Sequence, residues 1–404
     1  MGNDIVAARG PKVRVVASAS TWIEGEALRQ LDATAQMNGM RLAVGMPDLH
    51  PGKGSPVGAA FLSEGVIHPA LVGSDIGCGM ALHVTSMPTR KIRPDRIAER
   101  LNGLDLPWRG DTAAWLGAEG AGPTPFDDAL GTPGRGNHFV EAQRVHEVVD
   151  RTVFDALGLE EDRLHLLVHS GSRGLGEHIL RKHSAKHDSA AVAIPGDGDA
   201  YMAEHDQAVA WARANRSLCA HRALEALGIE GERVLDICHN SVTTARIDGC
   251  NCWLHRKGAA PADAGPVVIP GSRGDLSFVV MPMPDTAQSL WSLAHGAGRK
   301  LARHEARGKL RGVYRREDLE RTPFGGRVVC GDEMLLWEEA PECYKDVASV
   351  VDDLVAAELV SVVASFQPVV TFKTSVGATV EEQGRRKDWK TDRRQAREAK
   401  WGAR

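Results

Sequence analysis

The run Asp75-Ile-Gly-Cys-Gly-Met80 constrains this chain more than any other segment, because it holds a carboxylate and a thiol between glycines. It comes soon after a second turn-rich run, Met46-Pro-Asp-Leu-His-Pro-Gly-Lys-Gly54. Glycine lets backbone approach a ligand closely, and a hard and a soft donor on one such loop suggest a metal site. Three later segments set a histidine beside glycine or a polar residue: Gly136-Asn-His138, His169-Ser-Gly-Ser-Arg173 and Cys238-His239-Asn240. His295-Gly-Ala-Gly-Arg299 follows them.

Between Arg41 and Val84 short apolar runs such as Leu42-Ala-Val44 and Ala81-Leu-His-Val84 alternate with glycine and proline. This predicts strands joined by tight functional loops. Leu164-His-Leu-Leu-Val-His169 reads as a buried strand delivering His169 to a loop, and Arg233 to His239 does the same for His239. Pro266-Val-Val-Ile-Pro270 leads into Gly271-Ser-Arg-Gly274, which echoes Gly171-Ser-Arg-Gly174. Apolar residues at three- and four-residue intervals predict helices over Glu141 to Leu157 and Tyr201 to Leu227, stopped near Gly158 and Gly228. Leu359 to Val370 predicts a last strand. Pattern alone therefore supports an α/β or α+β protein whose strands feed glycine-rich loops.

At 404 residues and 43% hydrophobic content the chain buries a substantial core. A net charge of -4 means that any nucleic-acid binding must come from a local basic surface. Such a surface is present at the C-terminus, where residues 385–404 carry nine Lys or Arg against three Asp or Glu. The composition changes near Thr374, so we divide the chain into a domain over 1–373 and a basic extension over 374–404 that includes Trp389 and Trp401. The aromatics and charge of the extension suit a structured RNA; a solvated tail is the competing reading. Seven cysteines without regular spacing fit a reduced protein, and Cys250-Asn-Cys252 lacks the spacer of a zinc knuckle. There is no signal-like N-terminus and no apolar run of about 18 residues, so a cytoplasmic protein is expected.

Asp75, Cys78, His138, His169 and His239 offer carboxylate, thiolate and imidazole, a set suited to a borderline divalent ion. Taken singly, each reads more readily as a packed or hydrogen-bonded residue. Their joint placement at the ends of apolar runs favours a site, and spacing fits zinc as readily as manganese. A thiolate can bridge two metals, and two ions clamp a phosphate. His295 lies where glycines open the backbone and Arg299 offers a phosphate clamp, so it is a candidate nucleophile. The two Gly-Ser-Arg-Gly turns suit amide nests for phosphate, and His255-Arg-Lys257-Gly reads as a further basic turn.

Together these motifs resemble the RtcB family of RNA ligases from about residue 20 to Lys373. The resemblance implies a single large α+β domain, with mixed β-sheets around a deep metal-lined cleft and helices outside. It implies joining of an RNA 3′-phosphate or 2′,3′-cyclic phosphate to a 5′-hydroxyl with GTP and two Mn²⁺ ions, in RNA repair or tRNA splicing. By motif, Asp75, Cys78, His138, His169 and His239 would be metal ligands, with Cys78 the bridge. His295 would be guanylylated, with Arg299 on phosphate and Asp48 orienting the site. Asn137, Phe139, Glu141, Ser272, Ser277, Gly296, Ala297, Gly298, Tyr344 and Lys373 would join His295 and Arg299 in the GTP pocket, Glu141 accepting from the guanine edge. The implied chemistry opens a cyclic phosphate with metal-activated water, loads GMP on His295, passes it to the RNA 3′-phosphate and releases it on attack by the 5′-hydroxyl. Arg173, Lys257, Arg299 and Arg303 are candidates for an RNA backbone track.

The chain departs from the usual family pattern at Arg273, Asp275 and Ala294, and in its basic tail. A monomer is expected, and an archease-like activator is a possible partner. The competing function is a metal-dependent RNA-binding protein without ligation, or a cyclic-phosphate hydrolase.

Overall fold

The computed structural model describes residues 6–10, 12–247 and 249–377. Two mixed sheets make the frame. The first runs in space Val6–Gly10, Val13–Val16, Met40–His50, Val57–Glu64, Cys250–Lys257, Asn240–Ile247. The second runs Gly231–Cys238, Gly79–Pro88, Arg163–Ser170, Phe139–Val148, Val360–Thr374, Ser277–Pro282, Val267–Pro270, with Arg327–Cys330 beside Val360–Thr374. One core is filled from both, by Val44, Met46 and Ala60 of the first sheet and Leu82, Leu167 and Val279 of the second. The two sheets thus face each other across shared apolar side chains, and the outer face of the second is covered by helices. There Ala81, Val140, Leu166 and Phe372 pack against Ile97, Leu101, Cys219 and Ala223.

The expected strands over 164–169, 233–239, 266–270 and 359–370 are present, and the helix expected over 201–227 spans Asp197–Leu227. Gly228 ends it in the left-handed conformation, with φ 65°. The helix expected over 141–157 is instead the strand Phe139–Val148 followed by the short helix Arg151–Ala156. The strand is paired on both edges, by Arg163–Ser170 and Val360–Thr374, and its two faces enter different cores, Phe139 on one side and Val140 and Ala142 on the other, so its first five residues are all buried. A strand covered on both faces loses the alternation that marks a half-exposed one, and its apolar spacing then imitates a helix. Asp150 starts the helix that follows by accepting from Val153 N at 3.0 Å.

The long helix Asp197–Leu227 also positions the site. Its Arg216 is fully buried and donates to Gly77 O at 2.7 Å and Ser170 O at 2.9 Å, with Asp236 as its counter-ion at 2.7 Å. Asn215 next to it accepts from Gly131 N at 2.7 Å and donates to Ser170 Oγ at 2.9 Å. Gly77 has φ +76°, and a Cβ there would lie 2.7 Å from Ala212 Cβ on the same helix. Only glycine meets both conditions, so the Asp75–Cys78 turn sits directly against the helix. No helix among the described residues is long and apolar enough to cross a membrane.

Candidate active site

Strand ends bring the metal-ligand candidates together. Cys78 precedes the strand Gly79–Pro88, whose neighbour Arg163–Ser170 presents His169, and His138 directly precedes Phe139–Val148. Cys78 Sγ lies 3.1 Å from His169 Nε2 and 3.4 Å from His138 Nε2. The same His138 nitrogen is 2.8 Å from Asp75 Oδ2. The His239 ring is 5.2 Å from that of His169 and 4.9 Å from that of His295, centroid to centroid. His169 Nδ1 donates to Asn137 O at 3.2 Å, which directs its Nε2 lone pair toward Cys78.

The donor atoms of Cys78, His138 and His169 all lie within 4.8 Å of one another, as a metal-holding group requires. Two imidazoles, a thiol and a carboxylate at these spacings fit a divalent ion. Burial lowers the pKa of both His169 and His239 well below the usual imidazole range, so they are neutral, the form that ligates. Burial, reinforced by Asp75, pushes the Cys78 thiol well up. Burial also opposes ionisation of Asp75, but His138 and hydrogen bonds hold its carboxyl down at about 2.

Next to this cluster His295 Nδ1 is 2.7 Å from Asp48 Oδ2, whose carboxylate also accepts from His295 N at 3.3 Å. A proton held on Nδ1 by Asp48 leaves the Nε2 lone pair free. Lys345 supports Asp48 from behind, donating to Pro47 O and Leu49 O at 2.9 Å each. Gly298, with φ +72°, lets the glycine loop close on this strand: a Cβ there would lie 2.2 Å from Asp48 O.

His295 opens on a cavity of about 240 Å³. Of the residues expected in the nucleotide pocket, Asn137, Phe139, Glu141, Ser272, Gly296, Ala297, Gly298, Arg299, Tyr344 and Lys373 line it. Ser277 stands one layer behind, accepting from Gln143 Nε2 at 2.9 Å, while that amide also holds Glu141 Oε1 at 2.7 Å. Burial pushes the Glu141 carboxyl up to about 7, against hydrogen bonds from Thr371 and Gln143 and the field of Lys373.

Sequence reasoning passed over Glu339, the carboxylate around which the cationic wall is organised. It is buried, and it lies 3.2 Å from Arg299, 3.4 Å from Arg303 and 3.6 Å from Lys373, with a short hydrogen bond from Tyr344. Burial opposes its charge, but Lys373, Arg303 and Arg299 hold it down at about 2. No motif marks it: it sits in Trp337-Glu-Glu-Ala340, where only the end of a short helix is legible.

The candidates for a backbone track are not brought together as expected. Arg299 and Arg303 line the cavity. Lys257 does not: His255, Arg256 and Lys257, read as a basic turn, lie in the buried strand Cys250–Lys257, and the Lys257 ammonium donates to Ser55 Oγ at 2.8 Å. The strand is paired on both edges, and these three side chains are taken up by His68 N, Ser292 Oγ and Ser55 Oγ. Arg173 immediately precedes the helix Gly174–His187, with φ +55°, and its guanidinium lies across Gly134 beside His138 Nδ1, outside the cavity lining. Arg273 of the second Gly-Ser-Arg-Gly turn is buried against the cavity, donating to Leu336 O at 2.8 Å.

Comparison with known proteins fits this geometry. The chain is 47% identical to the RNA-splicing ligase RtcB2 of Escherichia coli strain ATCC 25922, over 90% of this chain and 96% of that protein. It is 31% identical to the tRNA-splicing ligase RtcB of Archaeoglobus fulgidus, over 86% of this chain and 91% of that one. With the RNA-splicing ligase RtcB of Escherichia coli K12 the identity is 29%, over 87% and 95%. The family described as tRNA-splicing ligase RtcB matches residues 30–107 and 124–374, and the chain belongs to the RtcB family.

Proposed function

We propose that this chain, an RNA ligase of the RtcB family, joins RNA 3′-phosphate or 2′,3′-cyclic phosphate ends to 5′-hydroxyl ends through GMP carried on His295, using GTP and two Mn²⁺ ions. The observation that carries the reading is the placement of His295 between the Cys78 cluster and the cationic cavity, with Nδ1 held by Asp48. Asp75, Cys78, His138, His169 and His239 hold the ions. Bound there, the ions gather phosphate charge and lower the pKa of a coordinated water or hydroxyl.

His295 Nε2 attacks the α-phosphorus of GTP. A P–N bond forms, the α–β anhydride breaks and pyrophosphate leaves. An oxygen of the RNA 3′-phosphate then displaces the imidazole, so that the P–N bond breaks and an RNA–GMP anhydride forms. The RNA 5′-hydroxyl attacks the 3′-phosphorus, GMP departs and a 3′,5′-phosphodiester remains. Asp48 keeps the Nδ1 proton in place throughout. Arg299, Arg303 and Lys373 meet the phosphates, and Glu339 holds these cations in place before the nucleotide arrives. Glu141, as carboxylate, accepts from the guanine N1–H and N2–H, which adenine cannot offer.

A non-ligating hydrolase would have no use for a nucleophilic histidine or a guanine pocket, so their joint presence favours ligation. The test incubates the purified chain with Mn²⁺ and RNA bearing 2′,3′-cyclic phosphate and 5′-hydroxyl ends, with GTP or with ATP, in the presence and absence of an archease. Joined RNA with GTP alone is expected. Cyclic-phosphate opening without joining, under all four conditions, would select the hydrolase.

A further inference from the structure

On the helical side of the second sheet, away from the cavity, two adjoining grooves share Arg100. The first is lined by Arg90, Lys91, Arg93, Arg96 and Arg100 with the apolar Met87, Ile97 and Leu227, and the second adds Arg109, Arg222 and the indole of Trp108. Among the described residues the only carboxylate lining either is Glu225. Arg90, Lys91, Arg93, Arg96, Arg100 and Arg109 are all exposed. Arg222 and Arg100 are tied to backbone carbonyls, the first to Leu104 O and Leu106 O at 3.0 Å and the second to Leu227 O. Among the described residues Arg90, Lys91, Arg96 and Arg109 form no ion pair.

In a chain of net charge -4, a run of uncompensated cations beside an aromatic face is a local exception, not a reflection of composition. Of the neighbouring acids, Asp95 pairs with Arg327 and Asp105 accepts from Ser375 N at 2.9 Å, while Glu99 and Glu225 stand among the cations and leave them in excess. That second contact fastens the end of the described chain to the loop forming the groove, and the basic stretch 385–404 follows in sequence.

The strand Val360–Thr374 separates this surface from the reacting centre. Its Val370 and Phe372 pack with Ile97 and Leu101 beneath the groove, while Thr371 and Lys373, alternating with them, line the cavity. We propose that the Arg90–Arg109 groove is a docking track for the phosphate backbone of RNA, engaging the body of the substrate on the opposite face of the sheet from the ends being joined. Arginines take the phosphates and Trp108 offers a stacking face, a combination that binds without reading sequence. A track in this place lowers KM for RNA large enough to reach both faces and leaves kcat unchanged. The inference rests on RNA being the substrate.

The test uses the full chain carrying Arg90→Gln, Arg96→Gln and Arg109→Gln together, with Arg29→Gln, Arg151→Gln and Lys309→Gln as a control of equal charge change on other exposed surfaces. Binding of a long folded RNA is measured without GTP or metal as a function of salt, and ligation kinetics are measured on that RNA and on short oligonucleotide pairs. We expect the groove variant to lose about tenfold or more in affinity, its salt slope to fall by about 2–3, and KM to rise on the long RNA alone. Unchanged RNA affinity, an equal loss in the control, or an equal rise in KM for short oligonucleotides overturns the proposal. Because binding is read without ligation, a failure of the ligase reading would show as absent joining in the wild type while the binding comparison still stands.

Discussion

The two walls of the cleft solve the problem of buried charge in opposite ways. Around Cys78 the donors converge on one another: neutral His169 and His239, a thiol kept protonated by burial, and the Asp75 carboxylate within 2.8 Å of His138. Around Glu339 the charges are already matched, since one buried carboxylate meets Arg299, Arg303 and Lys373. The first wall fits an ion supplied from outside, and the second is preorganised before any ligand binds. A divalent cation should therefore bind with release of protons, whereas a nucleotide should bind without rearranging its cations.

The largest contrast comes from substitutions that remove one wall and spare the other. His295→Ala is expected to abolish joining while changing Mn²⁺ affinity by about twofold or less, measured by calorimetry beside the ligation assay. Cys78→Ala is expected to weaken Mn²⁺ binding by about 100-fold or more. It should also remove the proton released when the wild type takes up metal, which calorimetry in buffers of different ionisation enthalpy reads directly. Equal Mn²⁺ affinity in wild type and Cys78→Ala would contradict the division of labour between the walls.

Glu339→Gln tests the second wall. Leaving three cations around a neutral amide should destabilise the fold by about 3–5 kcal/mol, seen as a lower midpoint in denaturant. Adding Lys373→Met should recover part of that loss. If the double variant is no more stable than the single one, the pair is not coupled through charge.

The smallest expected effect is a pH dependence. Burial raises the Glu141 carboxyl from 4.5 to about 7, so the folded state binds a proton that the unfolded state has released within that window. Its contribution to stability is thus present below 4.5 and is lost as pH rises to about 7. GTP affinity should move the other way, falling by about tenfold from pH 8 to pH 6 as the acceptor is protonated. In Glu141→Gln both trends should flatten, with weaker GTP binding throughout. A wild-type GTP affinity that does not change with pH would remove Glu141 from guanine recognition.

How much was legible in the sequence follows the same division. Asp75, Cys78, His138, His169, His239 and His295 stand near glycine or Asn at the ends of apolar runs, where loop chemistry is local and readable. Glu339, Asn215 and Arg216 reach Lys373, Gly131 and Gly77, partners distant in sequence, and each sits on a helix or at its end with no local signal. The strand Phe139–Val148 reads as a helix in sequence because burial on both faces of its first half hides its period. His255–Lys257 reads as a basic turn for a related reason: charge argues for solvent, whereas His68, Ser292 and Ser55 take up these side chains inside the fold. Trp389, Trp401 and most of the extension expected over 374–404 lie outside the described residues.

Covalent labelling tests the central claim most directly. The wild-type chain, His295→Ala and Asp48→Asn are incubated with Mn²⁺ and α-labelled GTP, with and without an archease, and the protein is separated from free nucleotide under denaturing conditions. Label on the wild type, none on His295→Ala, a slower gain on Asp48→Asn, and loss of label as 3′-phosphate RNA is added and joined are the predicted results. Label that persists in His295→Ala, or RNA joined by that variant, would contradict the account.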